Sequence, residues 1–231
     1  MKTVHTIQTC EKCVFRNLLF GSLNPQEFRL INNARAEKIF YKGEVIKKEG
    51  DKFTSFLYLR TGLVKLYKTD QAGKDHILSI NKPGDFVSLL HLFSNSFYQY
   101  NIAALEETHA CEVEMETIIH LVKTNGDFAL NVMKRMGVIA DDVISSLFNK
   151  AQLQIRGKVA SIILYFSDQV YNKQKFVLPV TRREIAELIA MSTENVIRTL
   201  SEFKTDNILR FNGKEVTIVD YQRLVAISKT G

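Results

Sequence analysis

The stretch TRREIAELIAMSTENVIRTLSEFKTDNILRFNGKEVTI, Thr181 to Ile218, decides how the C-terminal part of the chain folds. Thr181 followed by Glu184 at the third helical position is a capping box, so a helix starts at Arg182. Its apolar residues Ile185, Leu188 and Ile189 share one face. Ala190-Met191 makes a turn, and Ser192 caps a second helix whose apolar face is Val196, Leu200 and Phe203. Two short helices separated by so few residues form a helix-turn-helix. Downstream, Leu209-Arg210-Phe211 leads through Asn212-Gly213 into Val216-Thr217-Ile218. Asn-Gly between two such runs is a strong hairpin signal, and a hairpin in this place is a wing.

In a helix-turn-helix the second helix enters the major groove and its first turns reach the base edges. Here those positions are Ser192, Thr193, Glu194, Asn195 and Arg198. Glu194 and Arg198 are four apart, hence on one face, and their chemistry fits one G·C pair. Glutamate accepts from cytosine N4, and arginine donates bidentately to guanine O6 and N7. The alternative for the same spacing is a surface ion pair between the two residues. Arg182, Arg183 and Lys204 are candidate phosphate contacts, which position a domain without reading sequence; each could equally be solvated surface charge.

Charge distribution supports a polyanionic partner. The chain of 231 residues carries 31 basic and 25 acidic side chains, a net +6. From residue 151 onward there are 12 basic and 8 acidic residues, so +4 falls in the last third and +2 before it. With 45% hydrophobic residues the chain is ordinary globular material. No uncharged apolar run approaches the ~20 residues of a membrane span, and the opening residues lack a secretory apolar region. A cytoplasmic protein with no membrane partner is the expectation.

Upstream of the boundary, Phe128, Val132, Met136, Ile139, Val143 and Leu147 recur at helical spacing over Asp127 to Lys150. So narrow a stripe suits a coiled-coil seam between two copies, with Val132, Met136, Ile139 and Val143 as interface candidates. Val159, Ile162, Ile163 and Phe166 mark a further helix ending near Asp168. Before residue 127, Gly43, Gly50, Gly62, Gly73 and Gly84 punctuate short runs of alternating character, such as Val64-Lys65-Leu66 and Leu78-Ser79-Ile80. This is the pattern of a β-sandwich or barrel. A short helix opening at Asn24-Pro25 precedes it.

An enzyme is not expected. His76, His91, His109 and His120 are scattered, unlike the clustered ligands of a cupin-like metal enzyme, and there is no Walker loop, HExxH or GxSxG. Three cysteines, Cys10, Cys13 and Cys111, cannot form a disulfide framework without a leftover thiol.

The motifs KPGDF at Lys82–Phe86, LEETHACEVE at Leu105–Glu114 and TRREIAELIAMSTENVIRTL at Thr181–Leu200 carry a resemblance that spans nearly the whole chain. The chain resembles the Crp/Fnr transcription regulators. The resemblance implies an α+β architecture: an N-terminal double-stranded β-helix, a jelly-roll like that of cyclic-nucleotide-binding domains, over residues 1–126; a central dimerisation helix over 127–150; and a winged helix-turn-helix over 151–231. It implies a homodimer on a two-fold site of double-stranded DNA, a contact with RNA polymerase, and a signal sensed in the N-terminal domain. Glu194 and Arg198 align with the family's base-reading pair and Ser192 with its cap. Thr193 stands where cyclic-AMP-binding members have Arg, and Ile197 where oxygen-sensing members have Ser.

The resemblance also bears on the signal. At the positions that hold the cyclic nucleotide elsewhere in the family, this chain has Leu89 and about Tyr98-Gln99. No cation is then available for a buried phosphate, and the effector is expected not to be a cyclic nucleotide. Leu89, Leu90, Tyr98 and Gln99 belong to an effector region whose apolar content admits a hydrophobic effector, haem or a closed core, the last being the default. Cys10, Cys13 and Cys111 resemble three of the four cysteines that hold an iron–sulfur cluster in oxygen-sensing members, with Leu19 in place of the other. They are expected to meet in space; a cluster completed by His5, Glu11 or His109, a zinc site, and no metal all remain open. A redox- or oxygen-responsive regulator is the alternative reading.

Overall fold

The structure, a computed structural model, describes residues 2–3, 13, 19–87, 89 and 96–231. Packing divides the chain into two compact units. The first comprises Met1–Lys68 and Ser79–Val143, and the second comprises Thr69–Leu78 and Ile144–Gly231. The division thus falls within the long helix, ahead of residue 150, and the hairpin tip Thr69–Leu78 groups with the C-terminal part.

The first unit is built from two antiparallel sheets. One has the order β1-β2-β9-β4-β7 and the other β3-β8-β5-β6, with β1 at Lys2–Thr3, β2 at Arg35–Phe40, β3 at Val45–Lys47, β4 at Ser55–Thr61, β5 at Val64–Thr69, β6 at Asp75–Asn81, β7 at Phe86–Val87, β8 at Asn101–Ala104 and β9 at Thr108–Glu114. The five glycines that punctuate the strands all have φ between 77° and 91°, a region closed to most side chains. Gly62 is further constrained: a Cβ there would lie 2.4 Å from the Glu107 carbonyl oxygen.

Strand alternation gives the central β9 two distinct faces. Cys111 and Val113 stand opposite Tyr58 and Phe56, while Ala110 and Glu112 stand opposite Leu59 and Leu57. The first face packs on helices. Helix α1 (Pro25–Asn33) has the complete Asn24/Glu27 capping box and buries Phe28 and Ile31, and α2 (Met115–Thr124) follows β9 directly. The long helix α3 spans Gly126–Gln152. Its Phe128 stacks on Phe20 with ring centroids 6.1 Å apart, and Phe20 meets Phe86 edge-on at 6.3 Å.

This docking takes up part of the apolar face on which the dimer seam is expected. Val132 is buried, and Met136 and Ile139 are partly buried against the same barrel core. Val143, farther along the helix, is exposed. A second stripe, Leu130, Met133, Ile144, Leu147 and Phe148, is exposed on α3, about 110° around the helix from the first.

In the second unit α4 (Ile155–Leu164) runs into a π-helical segment, Tyr165–Tyr171, which Asn172 ends in the left-handed conformation. The remaining elements are β10 (Lys175–Val177), α5 (Arg182–Ile189), α6 (Thr193–Thr205), β11 (Leu209–Asn212), β12 (Glu215–Ile218) and α7 (Tyr221–Thr230). The wing β11–β12 gains β10 as a third strand in the order β10-β12-β11. Neither β10 nor α7 was legible in the periodicity. Among the described residues no helix is long and apolar enough to cross a membrane.

One charged cluster bridges the two sheets. Glu112 of β9 is buried and accepts from Lys38 of β2 at 2.5 Å and Lys47 of β3 at 3.0 Å. Lys47 also donates to Ser55 Oγ at 3.2 Å and lies 5.8 Å from the centre of the Tyr98 ring. Burial opposes ionisation of Glu112, but the two ammonium groups outweigh it and hold its carboxyl below the usual glutamate range. A lowered folded-state pKa contributes stability that is present above the unfolded value and lost as pH falls through the folded one. The stability difference between the native protein and Glu112→Gln should therefore be about 3 kcal/mol near neutrality, where the variant leaves two cations uncompensated. It should shrink below about pH 4; urea unfolding at stepped pH measures it.

Candidate nucleic-acid interface

Helix α5 begins as its sequence dictates. Thr181 Oγ1 accepts from Glu184 N at 3.1 Å, and the Glu184 carboxylate accepts from Thr181 N at 2.9 Å. The apolar residues Ile185, Leu188 and Ile189 are buried. The turn between the helices is made by Ala190, which caps α5 at φ 55°, and its N–H donates to Ala186 O. A left-handed Ala is strained by about 1 kcal/mol, and it lets the chain reverse over two residues into Ser192.

Ser192 Oγ accepts from Asn195 N at 3.3 Å and opens α6. Val196, Leu200 and Phe203 are buried beneath it, which leaves the opposite side outward. Glu194 and Arg198 are both exposed, Arg198 with 68% of its side chain accessible. Hydrogen bonds from the Glu194 backbone N–H and from the Ser192 hydroxyl hold the Glu194 carboxyl below its usual range, so it is an anion and an acceptor at neutral pH. Arg198 does not pair with Glu194. Its Nη2 donates to Asn195 Oδ1 at 3.1 Å, and its Nε lies 3.9 Å from Glu202 Oε1. Thr193 and Asn195 are half-buried on the same first turn.

Ile197, which the resemblance marks only as standing where oxygen-sensing members have Ser, is 46% exposed on α6 beside Arg198, an apolar residue off the helix's buried face.

The three basic candidates separate. Arg182, the first residue of α5, is exposed, and its guanidinium lies 6.0 Å from the Phe211 ring of the wing. It lines a cavity of about 90 Å³ with Gly213 and Lys214, so α5 and the wing turn present cations together. Arg183 is bound to Glu187 at 2.9 Å. Lys204 is exposed in the last turn of α6, eleven residues and about 16 Å along the axis from Thr193, away from the base-facing turns.

Leu89 and Tyr98 are buried in the barrel core, and the Tyr98 hydroxyl donates to Ser55 O at 3.1 Å. Gln99 is exposed and donates to Phe97 O at 3.2 Å. Leu90 lies outside the described residues. Contrary to the expectation of a barrel without cations, Lys38 and Lys47 stand between the sheets, with Glu112 as their shared counter-ion.

Of the cysteines, Cys10 lies outside the described residues. Cys111 is buried on β9 between Glu37 and Tyr58, and Arg35 Nη1 donates to its sulfur at 3.6 Å. Cys13 is half-buried against the same core. Burial pushes the Tyr58 phenol up, and Cys13 and Cys111 add to the shift, so both thiols lie within electrostatic range of its hydroxyl. Burial likewise raises the Cys111 thiol, and a protonated thiol beside a guanidinium is a poor metal ligand. Among the described residues no set of three His, Cys, Asp or Glu side chains converges.

Comparison with known proteins agrees with this architecture. Residues 37–125 match the family described as cyclic nucleotide-binding domain, and residues 157–227 match the Crp-like helix-turn-helix domain. The transcriptional activator protein FnrA of Stutzerimonas stutzeri is 26% identical over 225 residues, covering 95% of this chain and 92% of that one. The fumarate and nitrate reduction regulatory protein of Yersinia pestis is also 26% identical, covering 95% and 90%. FixK2 from Bradyrhizobium japonicum shares the fold with a TM-score of 0.77 at 21% identity, covering 85% of this chain and 98% of that one. TTHA1359 of Thermus thermophilus, a transcriptional regulator of the CRP/FNR family, superposes with a TM-score of 0.70 at 17% identity, covering 84% and 98%. A β-sheet domain of the cyclic nucleotide-binding type, a long helix and a winged helix-turn-helix in this order, with both domain matches and relatives matched over most of both chains, make the chain a Crp/Fnr-type transcription regulator.

Proposed function

We propose that the protein is a cytoplasmic homodimer that recognises a two-fold site on double-stranded DNA, regulates through contact with RNA polymerase and catalyses no reaction. The observation that carries the reading is the outward face of α6, where Glu194, Ile197 and Arg198 are exposed together over a buried apolar face. Glu194 accepts from cytosine N4 and Arg198 donates to guanine O6 and N7 of one pair. Ile197 offers an apolar surface to a neighbouring thymine methyl. Arg182 and Lys214 take phosphates and fix the register. Thr193 and Asn195 flank the contact, and Ser192 holds the helix start.

Dimerisation rests on the exposed stripe of α3. Met133 and Ile144 are 63% and 64% accessible on one face with Leu130, Leu147 and Phe148, a contiguous apolar strip that water does not favour. The protein's effector is not a cyclic nucleotide: Leu89 and Tyr98 stand at positions that hold the nucleotide elsewhere in the family, and both are buried in the core.

A second reading, response to a redox signal, is favoured by the two thiols within electrostatic range of the Tyr58 hydroxyl and by relatives named anaerobic regulatory proteins. It makes Cys111 and Cys13 the sensing groups, with or without Cys10.

Three outcomes are expected. Met133→Glu with Ile144→Glu should give monomers by light scattering and lose operator affinity, whereas Val132→Glu should destabilise the barrel itself. Arg198→Ala should cost about 1–3 kcal/mol per half-site and relax base preference at one position in selection from random DNA, while Arg182→Ala should weaken all sequences alike and lower the salt slope. For the redox reading, protein prepared without oxygen should bind its operator differently from air-exposed protein, and Cys111→Ser should abolish the difference; iron, sulfide and zinc analysis of both preparations reports whether a metal accompanies it.

A further inference from the structure

Arg156, at the start of α4, grips the acidic flank of the recognition helix α6. Its Nη1 donates to Glu202 Oε2 at 2.5 Å and its Nη2 to Asp206 Oδ2 at 2.9 Å. Its guanidinium lies 5.0 Å from the centre of the Phe203 ring, between the two carboxylates in sequence. Arg223 of α7 assists: its Nη1 donates to Asp206 O at 3.2 Å, and its Nη2 lies 3.9 Å from Asp206 Oδ2. Two acids and two arginines therefore neutralise one another on this flank.

Glu202 is also the residue toward which Arg198 leans. The spacing of four residues places the two on one helix face, yet Arg198 Nε stands 3.9 Å from Glu202 Oε1, outside hydrogen-bond range. The other carboxylate oxygen is the one held by Arg156. Each oxygen could accept more than one donor, so geometry alone does not keep Arg198 away; what Arg156 removes is the uncompensated charge that would draw it in. Without Arg156 the flank would hold two carboxylates and one arginine, and the cation already within 3.9 Å of Glu202 is Arg198.

We infer that Arg156 is a positioning residue for DNA recognition: by neutralising Glu202 it keeps the Arg198 guanidinium, steadied by Asn195, from closing into a tight ion pair with Glu202 and so available for a base. This rests on the reading of Arg198 as a base-contacting residue. The sequence hid the arrangement because Arg156 and Glu202 are 46 positions apart, and only the packing of α4 against α6 joins them.

The readout is the affinity gap between an operator and the same operator with the Arg198-read G·C pair inverted, measured for the full-length protein. Arg156→Ala should narrow the gap. An exposed ion pair four residues apart changes an equilibrium by about twofold, hence about fourfold over two half-sites. Adding Glu202→Gln to Arg156→Ala should restore the gap, and Glu202→Gln alone should leave it at least as wide as in the parent. A fall in affinity that is equal on both operators and not rescued by Glu202→Gln would make Arg156 a phosphate contact and overturn the inference. A lower melting temperature with an unchanged gap would make it only a helix-docking residue, again overturning it. If Arg156→Ala does not fold, Glu202→Gln alone still decides, since a narrowed gap there contradicts the relay. Arg198→Ala is the control for the underlying reading: if it leaves the gap intact, base contact by Arg198 fails; if it closes the gap while Arg156→Ala does not, the relay alone fails.

Discussion

The docking of α3 against the five-stranded sheet is the contact on which the first unit depends. Phe128 stacks on Phe20, Phe20 meets Phe86, and Phe86 stacks on Phe56 at 5.5 Å, so one run of aromatic rings joins helix and sheet. Val132, Met136 and Ile139 continue the contact along the helix. Removing one large ring from such a core typically costs about 3–5 kcal/mol. A helix has room for two apolar stripes, and commitment of one to the barrel is what leaves the other, around Met133 and Ile144, bare. The interface we propose between protomers is thus the complement of an intramolecular one.

Inside the barrel a different constraint operates. Charges buried between sheets need partners, and Glu112 supplies one for both Lys38 and Lys47. Tyr98 packs edge-on against Phe53 at 4.8 Å beside this cluster. The fold of a cyclic nucleotide-binding domain is retained, while the side chains at Leu89 and Tyr98 serve as core.

Recognition by α6 is a matter of balance among charges within one small domain. Ser192 fixes where the helix begins, Glu194 is kept ionised, and Arg198 stands between Asn195, Glu202 and solvent. The side chains that face DNA in our proposal are few, and most of the surrounding structure exists to orient them. Arg182 reaching the wing through Phe211 is one example, and Arg156 reaching α6 is another.

Local chemistry was enough to read much of this from the sequence. The Thr181–Glu184 capping box, the helix opening at Asn24-Pro25, the Ser192 cap, the five punctuating glycines and the Asn212-Gly213 hairpin depend on interactions within a few residues, and each appears where its residues require. The α+β class and the winged helix-turn-helix follow from them. Periodicity also identified the apolar face of α3, because a 3.6-residue repeat is a property of the helix alone. It could not say what the face touches: Val132, Met136 and Ile139 would show the same pattern against a barrel or a second copy. Tertiary structure decided that, as it decided the burial of Leu89 and Tyr98, the meeting of Lys38, Lys47 and Glu112, and the hold of Arg156 on Glu202. Each joins residues far apart in the chain, and such contacts arise only when strands and helices pack, so no local pattern encodes them.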